Sequence, residues 1–192
     1  MRSILRLFVL LTALFLLFAA GAAAQGLNFK LKSIDGRNKV ELAEALKIGP
    51  AVISFWATWC HPCQEELIQI QRIYEVYKDS GLSFFAVSID DAKTAGKVKA
   101  VALGKRLTMT VLLDPEQQAM QDFGLASVPG VYIIGPEGQK LYEHTGYKPG
   151  DEKALEDNIR AILKLAPKSG GGAVGDTTAC GADSSGCPAK EK

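Results

Sequence analysis

Phe55-Trp56-Ala57-Thr58-Trp59-Cys60-His61-Pro62-Cys63 is the stretch on which the reading of this chain turns. It completes Ala51–Trp56, an apolar run broken only by Ser54, as expected of a strand buried on both faces. Beyond it, over Gln64–Lys78, Leu67, Ile70, Ile73, Tyr74 and Tyr77 recur on one side of a helix. The two cysteines therefore sit at a strand-to-helix turn, with the helix starting at or near Cys60. A helix N-terminus carries unpaired N–H groups and about half a positive charge, which favours a thiolate. Cys63 lies one turn on, ~4.5 Å along the axis, compatible with the ~4.4–6.8 Å Cα separation of a disulfide. Dithiol and disulfide can then interconvert with little backbone movement. Pro62 locks the backbone early in the helix, where no needed hydrogen bond is lost. His61, when protonated, adds a positive charge beside the thiolate. His61 and Pro62 are thus the expected tuners of the thiol pKa.

Other uses of a Cys-x-x-Cys pair fit less well. Tetrahedral zinc needs four ligands, and the next cysteines lie 117 positions downstream, with His61 and His144 the only histidines. A c-type haem needs histidine directly after the second cysteine, and Gln64 stands there. A redox pair is the expectation, with no metal and no cofactor.

Working outward, strands are expected at Phe29–Ile34, Asn38–Leu42, Leu82–Ile89, Met109–Leu113, Val131–Gly135 and Gln139–Thr145. Helices are expected at Ala92–Lys105, Pro115–Phe123 and Asp151–Leu165, the last carrying Leu155, Ile159, Ile162 and Leu163 on one face. A βαβ core followed by ββα makes the fold class α/β, a mixed sheet covered by helices. The 192 residues suit one domain with attachments. With 47% hydrophobic and 22% charged residues, global disorder is excluded. The net charge of +1 gives no basic surplus for nucleic acid.

Residues 1–24 form a leader: Arg2 and Arg6, an apolar stretch from Leu7, then Ala22-Ala23-Ala24 before Gln25. A cleaved signal peptide is favoured over an uncleaved membrane anchor, and either exports the domain at 25–167. From Lys168 a Gly- and Ser-rich tail runs to residue 192, carrying Cys180 and Cys187. Such composition does not bury enough to order itself. Oxidising surroundings permit a second disulfide there. A passive tail is favoured over a tethered redox relay, which would require the last helix to end on the active-site side.

The motif Phe55-Trp56-Ala57-Thr58-Trp59-Cys60-x-Pro62-Cys63-x-x-Glu66, with Ser127-Val128-Pro129 before a later strand, resembles the thioredoxin superfamily. More narrowly it is similar to the exported branch that includes TlpA-, ResA- and CcmG-type proteins, over about residues 27–166. The resemblance implies a thioredoxin fold: a four-stranded core extended by an N-terminal β-hairpin, with a helical insertion at Ala92–Leu107. It implies an enzyme, a protein thiol–disulfide oxidoreductase. By the same resemblance Cys60, exposed at the helix start, is the attacking thiol and Cys63 the resolving one. Pro129 is the cis-proline that docks substrate backbone, Trp59 an aromatic shelf, and Glu66 an acid able to perturb Cys63 or relay a proton.

Three departures stand out against that pattern. Ser54 replaces a buried aspartate, which leaves Glu66 as the only nearby acid candidate. Ile68 replaces a helix-kinking proline. Gly130 replaces a frequent threonine, which is expected to loosen the docking groove. His144 is read as a surface strand residue. The resemblance implies protein thiol and disulfide partners, a membrane thiol electron donor and a monomer, in the periplasm or on the outer face of the cytoplasmic membrane. Reduction of exported disulfides, for example in cytochrome c or copper-site maturation, is the favoured direction. A disulfide-forming oxidant, to which a charged His61 would incline the pair, is the alternative. A peroxiredoxin-type peroxidase using Thr58 and Cys60, and a copper-binding module, are remoter ones.

Overall fold

The computed structural model describes residues 26–166. The leader and the Cys180/Cys187 tail lie outside the described residues. Seven strands form one sheet: β1 (Lys30–Ser33), β2 (Lys39–Glu41), β3 (Ala51–Trp56), β4 (Ser83–Ser88), β5 (Thr110–Leu113), β6 (Gly130–Ile134) and β7 (Lys140–Thr145). Five helices accompany them: α1 (Leu42–Leu46), α2 (His61–Tyr77), α3 (Ala95–Gly104), α4 (Gln118–Asp122) and α5 (Asp151–Ile162). The spatial order is β2-β1-β5-β4-β3-β6-β7. β3 and β5 both run parallel to β4, while β6 lies antiparallel to β3. Parallel neighbours require a crossover, and α2 and α3 supply the two crossovers on either side of β4.

The α/β expectation holds, with one extension. The sheet has seven strands because β5 pairs with both β4 and β1, which joins the N-terminal hairpin to the core. The five-residue α1 was not foreseen, being too short to show a period. α2 begins at His61, at the expected start near Cys60: a proline in the first turn costs no internal hydrogen bond and does not delay the helix. α3 begins at Ala95, because Asp91 ties up the N–H groups of Lys93 and Thr94 in a turn.

All six residues of β3 are buried, as the continuous apolar run requires. On one face of the sheet Phe29, Phe55, Phe123 and Tyr132 pack with ring centroids 5.2–6.3 Å apart. The edge-on pairs among them, Phe55 with Phe123 and Tyr132 and Phe123 with Tyr132, each add about 0.5–1.5 kcal/mol beyond area burial. Elsewhere in the core Leu67, Ile70, Leu155 and Ile159 are buried from α2 and α5. These two helices run the same way. Asp151, the first residue of α5, lines a cleft with Glu66 near the start of α2. At the other end Tyr77 Oη, on the last residue of α2, donates to Glu156 at 3.0 Å and accepts from Arg160 at 3.0 Å.

This geometry bears on the tail. α2 is 17 residues long, or about 25 Å. α5 therefore ends about a helix length away from Cys60. Ending the chain after Pro167 is expected to leave both the melting temperature and disulfide reductase turnover unchanged, as measured by calorimetry and insulin reduction.

Candidate active site

The buried strand β3 stops at Trp56, and four residues carry the chain to α2. Asp90, fully buried just beyond β4, holds this loop. It accepts from the Thr58 N–H at 2.8 Å, from Thr58 Oγ1 at 2.5 Å and from Ser88 Oγ at 2.8 Å. Gln64 Nε2 donates to the Thr58 carbonyl at 2.7 Å from the helix side. The loop is thereby fixed by one acid and one amide before any cysteine is reached. Asp90 was missed in the sequence, where an acid at a strand end carries no motif; Glu66 is not the only acid near the site.

Cys60 and Cys63 form a disulfide with Cα atoms 5.3 Å apart. Cys60 occupies the N-cap of α2, and its Sγ accepts a hydrogen bond from the Cys63 N–H at 3.3 Å. The sulfur thus does what a capping Ser or Asp oxygen does, satisfying an otherwise orphaned donor. The expectation of an exposed Cys60 needs correction. In the disulfide only 6% of Cys60 is accessible and none of Cys63. The loop that Asp90 holds packs the first cysteine in almost as completely as the second. The order of the two is as expected, Cys60 outermost.

Trp59, next to Cys60 in the chain, is 67% exposed, so it is not core packing. Val128–Pro129 is a cis peptide bond, and the Pro129 carbonyl accepts from the Gly146 N–H at 2.8 Å. Gly130 does not loosen the groove. A Cβ there would sit 2.5 Å from Leu125 Cδ1 and 2.6 Å from Cδ2, so Leu125 already fills the space a threonine would occupy.

His61 and Glu66 depart from each other sharply. Pro62 stands in the first turn of α2, as anticipated. The His61 side chain is 86% exposed, with Nε2 3.3 Å from Glu65 Oε1 one turn along the helix. The ring is turned to a carboxylate in solvent and not into the sulfur site. Glu66, by contrast, is buried, and Ser54 Oγ donates to its Oε2 at 3.4 Å. Burial pushes the Glu66 carboxyl up from 4.5 to about 8; the Ser54 hydrogen bond opposes this and the Asp151 carboxylate adds to it. Ser54 sits mid-strand in β3, so the strand that lacks an acid holds the acid of the helix instead.

His144 is likewise not a plain surface residue: its Nε2 lies 3.1 Å from Asp151 Oδ2 in the cleft that Glu66 lines.

Residues 21–141 match the AhpC/TSA family. The chain belongs to that family. Among relatives of this AhpC/TSA protein is the thiol-disulfide oxidoreductase ResA of Bacillus subtilis, 29% identical over 119 residues, which are 62% of this chain and 64% of that one, just under two thirds. ResA of Bacillus thuringiensis subsp. konkukian is 27% identical over 135 residues, 70% of this chain and 75% of the relative. Among solved structures, a Chlorobium tepidum protein described as a thiol:disulfide interchange protein DsbE superposes with a TM-score of 0.65 at 30% identity, covering 72% of this chain and 95% of that one. A thioredoxin-like protein from Porphyromonas gingivalis gives 0.59 at 35% identity, over 73% and 93%. The described domain of this AhpC/TSA protein has the thioredoxin fold and is a thiol–disulfide oxidoreductase.

Two measurements check the site. A carboxyl raised on folding holds its proton more tightly in the native state, so its contribution to stability is whole below about 4.5 and is lost as pH rises to about 8. The oxidised protein should therefore melt lower at pH 8.5 than at pH 6, and Glu66→Gln should lessen that drop by roughly 3–6 °C in calorimetry. For His61→Ser, redox titration against glutathione should move the potential by less than about 20 mV, since an exposed pair is worth at most ~1 kcal/mol.

Proposed function

We propose that the chain is an exported reductase of protein disulfides, with Cys60 as nucleophile, Cys63 as resolving thiol and Glu66 as the acid that takes the Cys63 proton. The observation that carries the direction is the placing of His61, turned to Glu65 in solvent. The imidazole that could have favoured the reduced thiolate is turned to a surface carboxylate instead. What acts on the sulfurs is burial, which disfavours a thiolate, and the carboxyl of Glu66, whose negative form would repel one. A thiolate held less well makes the dithiol a better reductant. Helix α2 opposes this by its N-terminal N–H groups, and keeps Cys60 reactive.

In this reading the reduced Cys60 attacks a disulfide sulfur of an extended partner laid between Trp59 and Pro129. One partner sulfur leaves as a thiolate and a mixed disulfide remains. Cys63, having passed its proton to Glu66, attacks Cys60 Sγ, re-forms the Cys60–Cys63 disulfide and releases the second partner sulfur. A membrane thiol donor returns two electrons to complete the cycle. The working unit is the monomeric domain at 25–167, exported by the leader to the periplasm or outer membrane face, with the tail at 168–192 passive. Substrates are exported disulfides such as those of cytochrome c or copper-site assembly. Thr58 Oγ1 is committed to Asp90, which gives the peroxidase alternative no hydroxyl at Cys60.

Cys63→Ser should accumulate mixed disulfides in an export-competent host, seen as thiol-sensitive bands on non-reducing gels, whereas Cys60→Ser should not. A potential well below that of the glutathione couple would accompany a reductase; one well above it, or the opposite trapping pattern, would overturn the proposal.

A further inference from the structure

Behind Glu66, on the side of α5, lies a second group of ionisable residues that the thiol exchange just described does not use. Glu66, Tyr142, His144, Tyr147, Asp151 and Glu152 line one cleft. The space between them has room for about one water molecule. At its inner end Glu66 is buried under β3 with Ser54 as its hydrogen-bond donor. At its outer end His144 Nε2 lies 3.1 Å from Asp151 Oδ2, which also accepts from the Lys148 N–H at 2.8 Å. The His144 and Asp151 side chains are 36% and 33% exposed. The cleft is thus closed at the carboxyl and open to solvent at the imidazole.

We propose that His144, oriented by Asp151, is the proton exit for Glu66. The proposal rests on Glu66 being the acceptor of the Cys63 proton. During resolution Cys63–SH gives its proton to the Glu66 carboxylate, leaving a Cys63 thiolate and a neutral Glu66. The thiolate bonds to Cys60 Sγ as the bond from Cys60 to the partner breaks, and the partner departs as a thiolate carrying the electron pair. Glu66 now holds a proton, and since it is the ionised form, a minority below about pH 8, that accepts from Cys63, that proton must leave before Glu66 can act again. Through one water it passes to neutral His144, giving a carboxylate and an imidazolium, and the imidazolium releases it to bulk solvent.

The groups facing Glu66 suit that path. From β3 Ser54 donates to it, and from its own helix Glu65 is turned outward to His61. From β7 and the loop after it come Tyr142 and Tyr147. Burial first, then nearby carboxylates, raises both phenols, Tyr147 to about 12, so each stays a neutral hydroxyl. From α5 come Asp151 and Glu152, the latter engaged by the Tyr147 hydroxyl and the Gly150 N–H. Histidine is the side chain able to take and release a proton near neutral pH. With Nε2–H donated to Asp151, Nδ1 carries the lone pair that accepts. That contact with Asp151 holds the ring in place. His144 acts through Glu66 and touches no sulfur.

The test is single-turnover resolution in the full chain. Cys60 is loaded with thionitrobenzoate at acid pH, and release of the coloured thiol is followed by stopped flow after a jump to pH 7. His144→Ala should slow release by roughly tenfold, below the ~10²–10⁴ of a direct acid–base group. Added imidazole should restore the rate in a saturable way, which a fold defect would not permit. The Glu66→Gln/His144→Ala double variant should be no slower than Glu66→Gln alone. If Glu66→Gln slows release but His144→Ala does not, or imidazole fails to rescue it, or the double variant loses further rate, the exit is wrong and the role of Glu66 stands. If Glu66→Gln leaves release unchanged, the underlying role of Glu66 fails and the exit with it.

Discussion

A single N–H group at the start of α2 ties the whole site together. The Cys63 amide, which has no carbonyl to bond within the helix, donates to Cys60 Sγ at 3.3 Å. Because that sulfur caps the helix, the position of Cys60 is dictated by where α2 begins. The start of α2 is dictated in turn by the end of β3 and the four-residue loop between them. Anything that moves the strand moves the sulfur. The loop has little slack, since Asp90 from the end of β4 and Gln64 from α2 grip Thr58 from opposite sides. Sheet, loop and helix are therefore one mechanical unit.

Two buried acids divide the polar work around it. Asp90 is surrounded by donors, three of them within 2.8 Å, and serves geometry. Glu66 has one donor, at 3.4 Å, and the burial that this leaves uncompensated holds it protonated to about pH 8. The difference lies in hydrogen-bond supply, not in depth. A buried carboxyl with a single long donor keeps its proton to higher pH.

Much of this was legible in the residues. Ala51–Trp56 announced itself as a central strand because every position is apolar or small, and the structure buries all six. The Cys60/Cys63 spacing, the proline in the first turn and the placing of Pro129 before β6 were readable because each is a local, backbone-level constraint. What stayed hidden depends on contacts between distant segments. Asp90 reaches Thr58 across 32 positions and Leu125 plugs the space beside Gly130, neither with any periodic or motif signal. His61 looked like a charge for the thiolate because sequence gives proximity along the chain. Side-chain direction, which sent it to Glu65, is not written there. The pairing of His144 with Asp151 needed the fold of β7 against α5 to exist first.

The N-terminal hairpin has a consequence for survival among unfolded chains. β5 would be an open sheet edge if β1 did not pair with it. The exposed border passes instead to β2, three residues long, with Lys39 and Glu41 at its ends. So short and charged an edge offers poor purchase to another strand. A bare strand edge is a template on which other extended chains can pair. Here the side of the sheet reached through β5 ends in a stub that resists templating, so that flank gives aggregates nowhere to grow.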